Sequence, residues 1–301
     1  MPPRRRPPRQ TPRSVVYRRR LVAVAVLVAG FLIAWFAYAF ASTGGGKTTT
    51  QRTTPSPPPP FRVIFPEGFT REQMAGRVDA VAKIAQHERG KNERGKRPKL
   101  AASSYLAATR ARRREPGFGP RRLPLEGFLF PATYDFTVRT TSAQLVAQQL
   151  LAFQRNWAKL DLRYARSKNL TPYDVLTIAS MVEKETLSPD ERQLVAAVIY
   201  NRLHRRMPLG IDSTLRYGLH IPPTQSIRES QLHSSSPYNT RNRLGLPPTP
   251  IANPGLASLQ AAAHPAHVDY LYFVRKPDKK HHFFTASFSA FEQYKAAHGY
   301  R

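Results

Sequence analysis

The sequence contains no cysteine and few acidic residues. Without cysteine, the 301-residue chain has no disulfide, no thiol nucleophile and no thiolate metal ligand, and it suits reducing and oxidising compartments alike. Only 19 Asp and Glu residues stand against 47 Lys and Arg residues, which gives a formal net charge of +28. This imbalance predicts that the protein works next to an anionic partner.

The basic residues do not form a nucleic-acid motif. They are spread over an N-terminal tail, the region 89–122 and isolated later positions, and the sequence has no zinc-ligand spacing, RNP-like aromatic motif or GxGxxG. A bacterial cell surface, with acidic lipids and anionic wall polymers, suits such a distributed charge equally well. We therefore expect no nucleic-acid partner, and acidic lipid headgroups are the simpler partner for the tail.

One long apolar run, residues 21–41, carries no charge. As a helix it would extend about 30 Å, enough to cross the core of a bilayer, and no polar face interrupts it. Eight arginines and no acids lie in residues 1–20, which predicts a cytoplasmic N-terminus and places everything after residue 41 outside. A cleaved signal peptide is the competitor because residues 39–41 read A-F-A, but the run exceeds the usual core of about 7–15 residues. We expect an uncleaved, single-pass anchor.

After this run, residues 42–60 predict a spacer, because they are rich in Gly, Thr and Pro and contain nothing that could build a core. Arg62–Phe65 predicts a short strand, and Thr70–Gln73 reads as a capping box that starts a helix. The basic stretch 89–120 reads as a solvated surface or as a contact with an anionic polymer.

The rest of the chain has the pattern of a globular α+β domain. Residues 143–160 have helical spacing. Two further helices are predicted to start at Thr171–Asp174 and Ser188–Glu191, each with a cap residue, a proline and an acid. The C-terminal elements are predicted as two strands at 270–274 and 282–285 and a closing helix at 287–297.

Two acids, Glu183 and Glu185, end the apolar stretch IASMVEKET at residues 178–186. On a helix they lie roughly 200 degrees apart, on opposite flanks, so they cannot form one two-carboxylate site. A glycosidase that needs two carboxyl groups would have to recruit a partner such as Asp212 or Glu126. Alternatively, both are surface acids paired with nearby cations, although acids at a helix C-terminus oppose the macrodipole.

Eight sequence blocks keep the order and spacing of a known family. They are EGFLFPATY (126–134), IASMVEKET (178–186), VIYNRL (198–203), PLGIDSTLRYGL (208–219), SPYNTRNRLGLPPTPIANPG (236–255), LQAAAHPA (259–266), YLYFV (270–274) and HHFFT (281–285). On these blocks the chain, from about Phe61 to its C-terminus, resembles the MltG (YceG-like) family of membrane-anchored endolytic murein transglycosylases. The resemblance implies a lysozyme-like catalytic domain of helices with a small β-sheet at 123–301, located outside the cytoplasm, with peptidoglycan glycan strands as substrate.

The resemblance also implies a lysozyme-like catalytic glutamate in EKET. We assign it to Glu185, which precedes Thr186, and keep Glu183 as the fallback. Such an acid would protonate the β-1,4 glycosidic oxygen that leaves C1 of N-acetylmuramic acid, then accept the proton of the same sugar's C6 hydroxyl as a 1,6-anhydro ring closes. This reaction needs no water, metal or cofactor. The acid needs a raised pKa, which the apolar neighbours Ile178 and Met181 could provide by desolvation.

Seven other residues are candidates for substrate binding: Glu126, Asn201, Asp212, Thr214, Tyr217, Tyr238 and Asn239. The tyrosines offer flat rings for sugar stacking, and an amide can bind acetamido groups. A loop cap for Glu126, a turn for Asp212 and a buried structural amide for Asn201 are the alternatives.

The chain departs from the family in two places. Ala132 stands where the family has Asp, and the LysM-like region before the catalytic domain is reduced to the strand–helix unit and basic segment of 61–122. A noncatalytic wall-binding or scaffold protein is the alternative function. A pyridoxal-phosphate lyase is rejected because Lys184 is the most outward position on its helix. Peptidoglycan synthases and division proteins are the protein partners to consider.

Overall fold

The computed structural model describes residues 60–90 and 99–300, together with six helical residues between positions 30 and 39. The tail at 1–20, most of the apolar run at 21–41 and nearly all of the spacer at 42–60 lie outside the described residues. Among the residues that are described, no helix is both long enough and apolar enough to cross a membrane. The chain divides into two compact units, Met1–Pro58 and Pro59–Arg301, and the elements below belong to the second.

The second unit has the α+β character that the sequence predicts, with short strands among more extensive helices. Its elements in chain order are β1 (Phe61–Ile64), α1 (Arg71–Gly90), α2 (Ala102–Arg110), β2 (Thr133–Phe136), α3 (Ser142–Trp157), α4 (Arg163–Ser167), α5 (Pro172–Glu185), a 3₁₀ turn (Pro189–Glu191), α6 (Arg192–His204), α7 (Asp212–Gly218), α8 (Glu229–Leu232), α9 (Leu256–Ala263), β3 (Tyr272–Arg275), β4 (His282–Thr285) and α10 (Phe288–Ala297).

Helix α5 is the centre of the core. Its eight consecutive residues 175–182 are all buried, and a helix that is buried on every side lies inside the domain rather than at its surface. Helices α6, α7 and α9 pack against it. The helix ends where the Thr186 hydroxyl bonds back to the carbonyl oxygen of Val182 at 2.6 Å. Glu185 is therefore held at the end of a rigid element.

Two antiparallel pairs of strands flank the helices. Strand β1 pairs with β2, from Phe61 opposite Phe136 to Ile64 opposite Thr133. Strand β3 pairs with β4, and α10 packs on that hairpin. Because β1 pairs with a strand more than 60 residues later, the segment 61–122 and the segment after it share a sheet, and their apolar residues share one core.

The helix starts agree with the sequence in two cases and differ in one. Thr70 and Gln73 exchange hydrogen bonds at the start of α1, as Thr171 and Asp174 do at the start of α5, so both predicted capping boxes are confirmed. The predicted cap at Ser188 is wrong. Its hydroxyl bonds to the Asp190 carboxylate at 2.8 Å, because a 3₁₀ turn comes first and α6 starts only afterwards.

Candidate functional site

A large open cleft of about 1080 Å³ lies beside the C-terminal end of α5. Its walls come from the start of α1, the loop and helix at 209–217, the β3–β4 hairpin and α10. The basic side chains that line it are Lys184, Arg202, Arg216, Arg241, Arg275 and Lys295. The acids that line it are Glu72, Glu185 and Asp212. Cations outnumber acids, so the cleft favours an anionic ligand.

Glu185 lies in this cleft and is half-buried. Burial raises the pKa of Glu185, and the neighbouring charge of Asp212 acts in the same direction. The hydroxyl and the backbone N–H of Ser213, together with the charge of His282, act against that rise. Because desolvation is the largest of these effects, Glu185 retains its proton more readily than a surface glutamate does.

Glu183 faces a different part of the molecule. One of its carboxylate oxygens accepts the backbone N–H of Gly255 at 3.0 Å, at the start of α9. A carboxylate there interacts favourably with the positive end of the helix dipole. Glu67 lies nearby, and burial together with the Glu183 charge raises the pKa of Glu67. Glu183 does not line the cleft, which is consistent with the opposite flanks that helical periodicity predicts for the two glutamates.

Asp212 begins α7 and lines the cleft. Its carboxylate accepts the Nε–H of Arg241 at 3.1 Å and contacts the terminal nitrogen of the same guanidinium. Since Asp212 and Glu185 interact electrostatically, the cleft does contain a second carboxylate near the candidate acid. That second carboxylate is already paired with an arginine.

Tyr217 also lines the cleft, and it leads to a buried polar network behind the cleft wall. Its hydroxyl donates to Glu126 at 3.1 Å, and Glu126 also accepts the Asn253 amide at 2.8 Å. The backbone N–H of Arg71, the first residue of α1, donates to both oxygens of the same carboxylate. Burial and the nearby charge of Glu72 raise the pKa of Glu126, and the hydrogen bonds from Tyr217 and the Arg71 N–H act against that rise. Glu126 therefore caps a helix behind the cleft.

The other predicted binding residues make internal contacts and do not line the cleft. The Asn201 amide donates to the carbonyls of Val268 and Tyr270 at 2.8 and 2.9 Å, so it secures the approach to β3 and does not orient Glu185. Asn239 is fully buried, and its amide donates to the carbonyls of Leu232 and Ser234.

The remaining two residues, Thr214 and Tyr238, are held in the same way. The Thr214 hydroxyl donates to the carbonyl of Ile211 at 2.7 Å, and the Tyr238 hydroxyl bonds Thr249 at 2.8 Å. In each case the polar group that the sequence offers to a sugar already has a protein partner. Their side chains shape the loops around the cleft, and Tyr238 packs edge-on against Tyr217.

Sequence reasoning missed two residues at this site. His282 lines the cleft and pairs with Glu191 at 2.7 Å between ring Nδ1 and a carboxylate oxygen. The HHFFT block predicts a strand. A histidine that faces inward from this strand was the signal that could have identified His282. Glu191 was assigned only to a helix start. The 91 positions between the two residues gave no local cue to their pairing.

The fold and the cleft define a class of protein: a mainly helical α+β unit in which a buried helix ends at a half-buried carboxyl group in an open, basic cleft. The chain belongs to the YceG-like family, whose model matches residues 38–297. The resemblance seen in the sequence blocks is thereby confirmed.

Known relatives agree with this assignment. The chain is 38% identical over 155 residues to an endolytic murein transglycosylase of Bacillus subtilis, and 39% identical over 160 residues to one of Streptococcus pneumoniae. These matches cover 51% of the chain but only 42% and 28% of the two relatives, so the chain spans less than half the length of each. A crystal structure of a YceG-like protein from Listeria monocytogenes superposes with a TM-score of 0.64 at 29% identity, covering 79% of this chain and 76% of that one.

Proposed function

We propose that this protein is a membrane-anchored endolytic lytic transglycosylase that cleaves the β-1,4 bond between N-acetylmuramic acid and N-acetylglucosamine in nascent peptidoglycan strands and so limits their length. The observation that carries the proposal is Glu185, a half-buried acid with a raised pKa in an open cleft. Two relatives named endolytic murein transglycosylase support the same reaction class.

Glu185 acts first as general acid and then as general base. Its proton goes to the glycosidic oxygen as the bond from that oxygen to C1 of N-acetylmuramic acid breaks. The C6 hydroxyl of the same sugar then attacks C1 and gives its proton to the Glu185 carboxylate, which closes the 1,6-anhydro ring and restores the acid. One carboxyl group is sufficient because the nucleophile belongs to the substrate.

The charge of the cleft fits peptidoglycan as the substrate. Strands that retain their stem peptides carry free carboxylates, and six Lys and Arg side chains line the cleft. Opposite charges raise the local concentration of such a strand in the cleft and speed its association. The apolar run at 21–41 supports a single-pass anchor in the cell membrane, with the N-terminus cytoplasmic and residues 61–301 outside.

Mass spectrometry of the product ends tests the reaction. Purified glycan strands are incubated with the full-length protein in detergent, and we expect new ends in the 1,6-anhydro form. Ends that are reducing instead would indicate hydrolysis, for which Asp212 offers a second carboxylate in the same cleft. Binding of strands without new ends of either kind would favour the noncatalytic, wall-binding alternative.

Two variants test whether Glu185 is the general acid. Glu185→Gln keeps the shape of the side chain but cannot exchange the proton, and we expect cleavage to fall by roughly 100-fold or more. Glu183→Gln is the matched control, because it removes the same charge two residues away, outside the cleft. We expect the control to keep most of the activity, and equal losses in both variants would contradict the assignment.

A further inference from the structure

His282, the first residue of β4, is a buried polar side chain in the wall of the cleft. Only 5% of its surface is exposed. Its ring Nδ1 lies 2.7 Å from one carboxylate oxygen of Glu191, and its backbone N–H donates to the other oxygen at 2.8 Å. A carboxylate can only accept hydrogen bonds, so Nδ1 carries a proton and donates it to Glu191. Glu191 lies six residues after Glu185, at the end of the 3₁₀ turn.

The other ring nitrogen, Nε2, lies on the opposite side of the imidazole from Glu191. No residue in the described part of the chain forms a hydrogen bond with it. The ring stands edge-on to Phe273, with centroids 5.4 Å apart, and packs near Phe284 at 6.0 Å. This nitrogen is not among the buried side-chain atoms that lack a partner, so it keeps contact with the open cleft that His282 lines together with Glu185.

We propose that His282, held by Glu191, is a positioning residue that acts through Glu185 by stabilising its carboxylate during the reaction. This inference rests on the proposed function, in which Glu185 is negatively charged between its two proton transfers. Glu191 fixes the ring so that Nε2 is presented to the cleft.

The charges around Glu185 show why such a residue is needed. Asp212, from α7, disfavours the ionised form of Glu185, and His282, from β4, favours it. The other charged side chains that line the cleft are Glu72, Lys184, Arg202, Arg216, Arg241, Arg275 and Lys295, and His220 lines it as well. Of these, Arg241 is already paired with Asp212, and Arg202 donates to the backbone carbonyls of Leu209 and Leu271. His282 and Asp212 therefore act on the ionisation of Glu185 in opposite directions.

A purely structural role would leave a different signature. The pair also joins β4 to the turn between α5 and α6, so its loss should weaken the fold whatever its effect on catalysis. A merely structural pair would lower activity at every pH in proportion to the folded fraction. A residue that acts on Glu185 would instead change the pH at which Glu185 loses its proton in the folded enzyme.

The experiment measures the pH profile of kcat for glycan-strand cleavage in His282→Gln and Glu191→Gln, with thermal unfolding followed in parallel. Because His282 favours the ionised form of Glu185, its replacement lets Glu185 hold its proton more tightly. The alkaline limb of the profile should move up by about half a pH unit or more, and kcat near neutral pH should fall roughly tenfold with little change in KM. Glu191→Gln should shift the limb in the same direction by less.

His281→Gln is the matched control. His281 is the adjacent histidine and also pairs with a carboxylate, that of Asp278 at 2.9 Å, but it is only half-buried and does not line the cleft. We expect it to leave kcat and the alkaline limb unchanged. If His282→Gln does not fold, Glu191→Gln carries the test, because a glutamine oxygen still accepts the Nδ1 proton.

Two results would overturn the inference, and they are distinguishable. Folded His282→Gln and Glu191→Gln proteins with the wild-type alkaline limb would remove the role of the pair while the proposed function stands. A Glu185→Gln protein that cleaves strands at the wild-type rate would instead overturn the proposed function, and the inference with it.

Discussion

At the scale of single residues, Glu183 and Glu185 differ in their surroundings because they lie on opposite flanks of the last turn of α5. The Glu183 carboxylate meets a backbone N–H at the start of α9, where the helix dipole favours a negative charge. Glu185 faces the cleft, where burial disfavours that charge. A proton donor at neutral pH needs the second environment.

Replacing Glu185 with Gln should stabilise the fold in a pH-dependent way. Burial raises the folded pKa of Glu185 above its ordinary value of 4.5, so the folded state binds the proton more tightly than the unfolded state does. The stability from this group is therefore complete below about pH 4.5 and is lost as pH rises through the folded pKa. Urea unfolding should show the Glu185→Gln variant gaining stability relative to wild type between pH 4 and pH 7, roughly. A difference that is constant over this range would contradict the raised pKa.

Asn253 is the residue whose loss should most damage the wall behind the cleft. It is fully buried, its side-chain oxygen accepts the N–H groups of Gly127 and Leu129, and its amide nitrogen donates to Phe69 and Glu126. Asn253→Leu would leave several buried polar groups unpaired, at about 1–3 kcal/mol each. We expect urea unfolding to show a loss of about 3 kcal/mol or more.

Asn242→Leu is a control for the Asn253 prediction. The Asn242 side chain is exposed and makes one hydrogen bond, to the carbonyl of Leu232 at 3.3 Å. Exposed substitutions of this kind change stability by about 0.5 kcal/mol or less. Equal losses in the two variants would show that the buried network contributes little.

At the scale of elements, the start of α5 matters because this helix carries Glu185. The Thr171 side chain accepts the backbone N–H of Asp174, and the Asp174 side chain accepts the backbone N–H of Thr171. Removing the hydroxyl in Thr171→Ala should cost about 1 kcal/mol in urea unfolding. Ser188→Ala is the matched control. Ser188 is likewise followed by a proline and then by an acid, but its side chain caps no backbone N–H. A larger loss for Ser188→Ala would contradict the observed difference between the two starts.

This contrast shows how far local sequence predicts the fold. Caps, helical spacing and strand alternation depend on neighbours within a few positions, so most elements and the separation of the two glutamates were predictable. Thr171 and Ser188 carry similar signals, and only packing decides that a 3₁₀ turn intervenes after Ser188. The Glu126–Asn253 bond joins residues 127 positions apart, and no local pattern encodes such a contact.

The candidate site was less predictable than the elements for the same reason. Asn201, Thr214 and Asn239 have side chains that can bind a sugar, but hydrogen bonds to backbone carbonyls already use their polar groups. Asp212 and Tyr217 do line the cleft, as does Glu185. Residue type predicts which groups could bind a ligand, whereas burial and competing partners decide which remain free to do so.

At the scale of the whole molecule, the N-terminal strand and helix of the folded unit are part of the core that supports the cleft. Strand β1 completes the sheet with β2, and side chains from α1 enter the same core as α5. The turn at 66–70 also reaches the site directly, because Lys184 donates to the carbonyl of Gly68 at 3.3 Å. The cleft therefore depends on residues that lie outside the eight sequence blocks shared with the family.

Truncation tests this dependence. A chain of residues 123–301 loses β1, α1 and α2, and with them the buried side chains of Val63, Phe65, Met74 and Tyr105 among others. Each such side chain contributes about 1.5–3 kcal/mol, and the sum approaches the roughly 5–15 kcal/mol that stabilises a whole domain. We expect circular dichroism to show that this chain does not fold, whereas residues 60–301, the matched control, should unfold in urea in a single transition. A cooperative transition of the shorter chain at the same urea midpoint would show instead that residues 123–301 fold without the N-terminal elements.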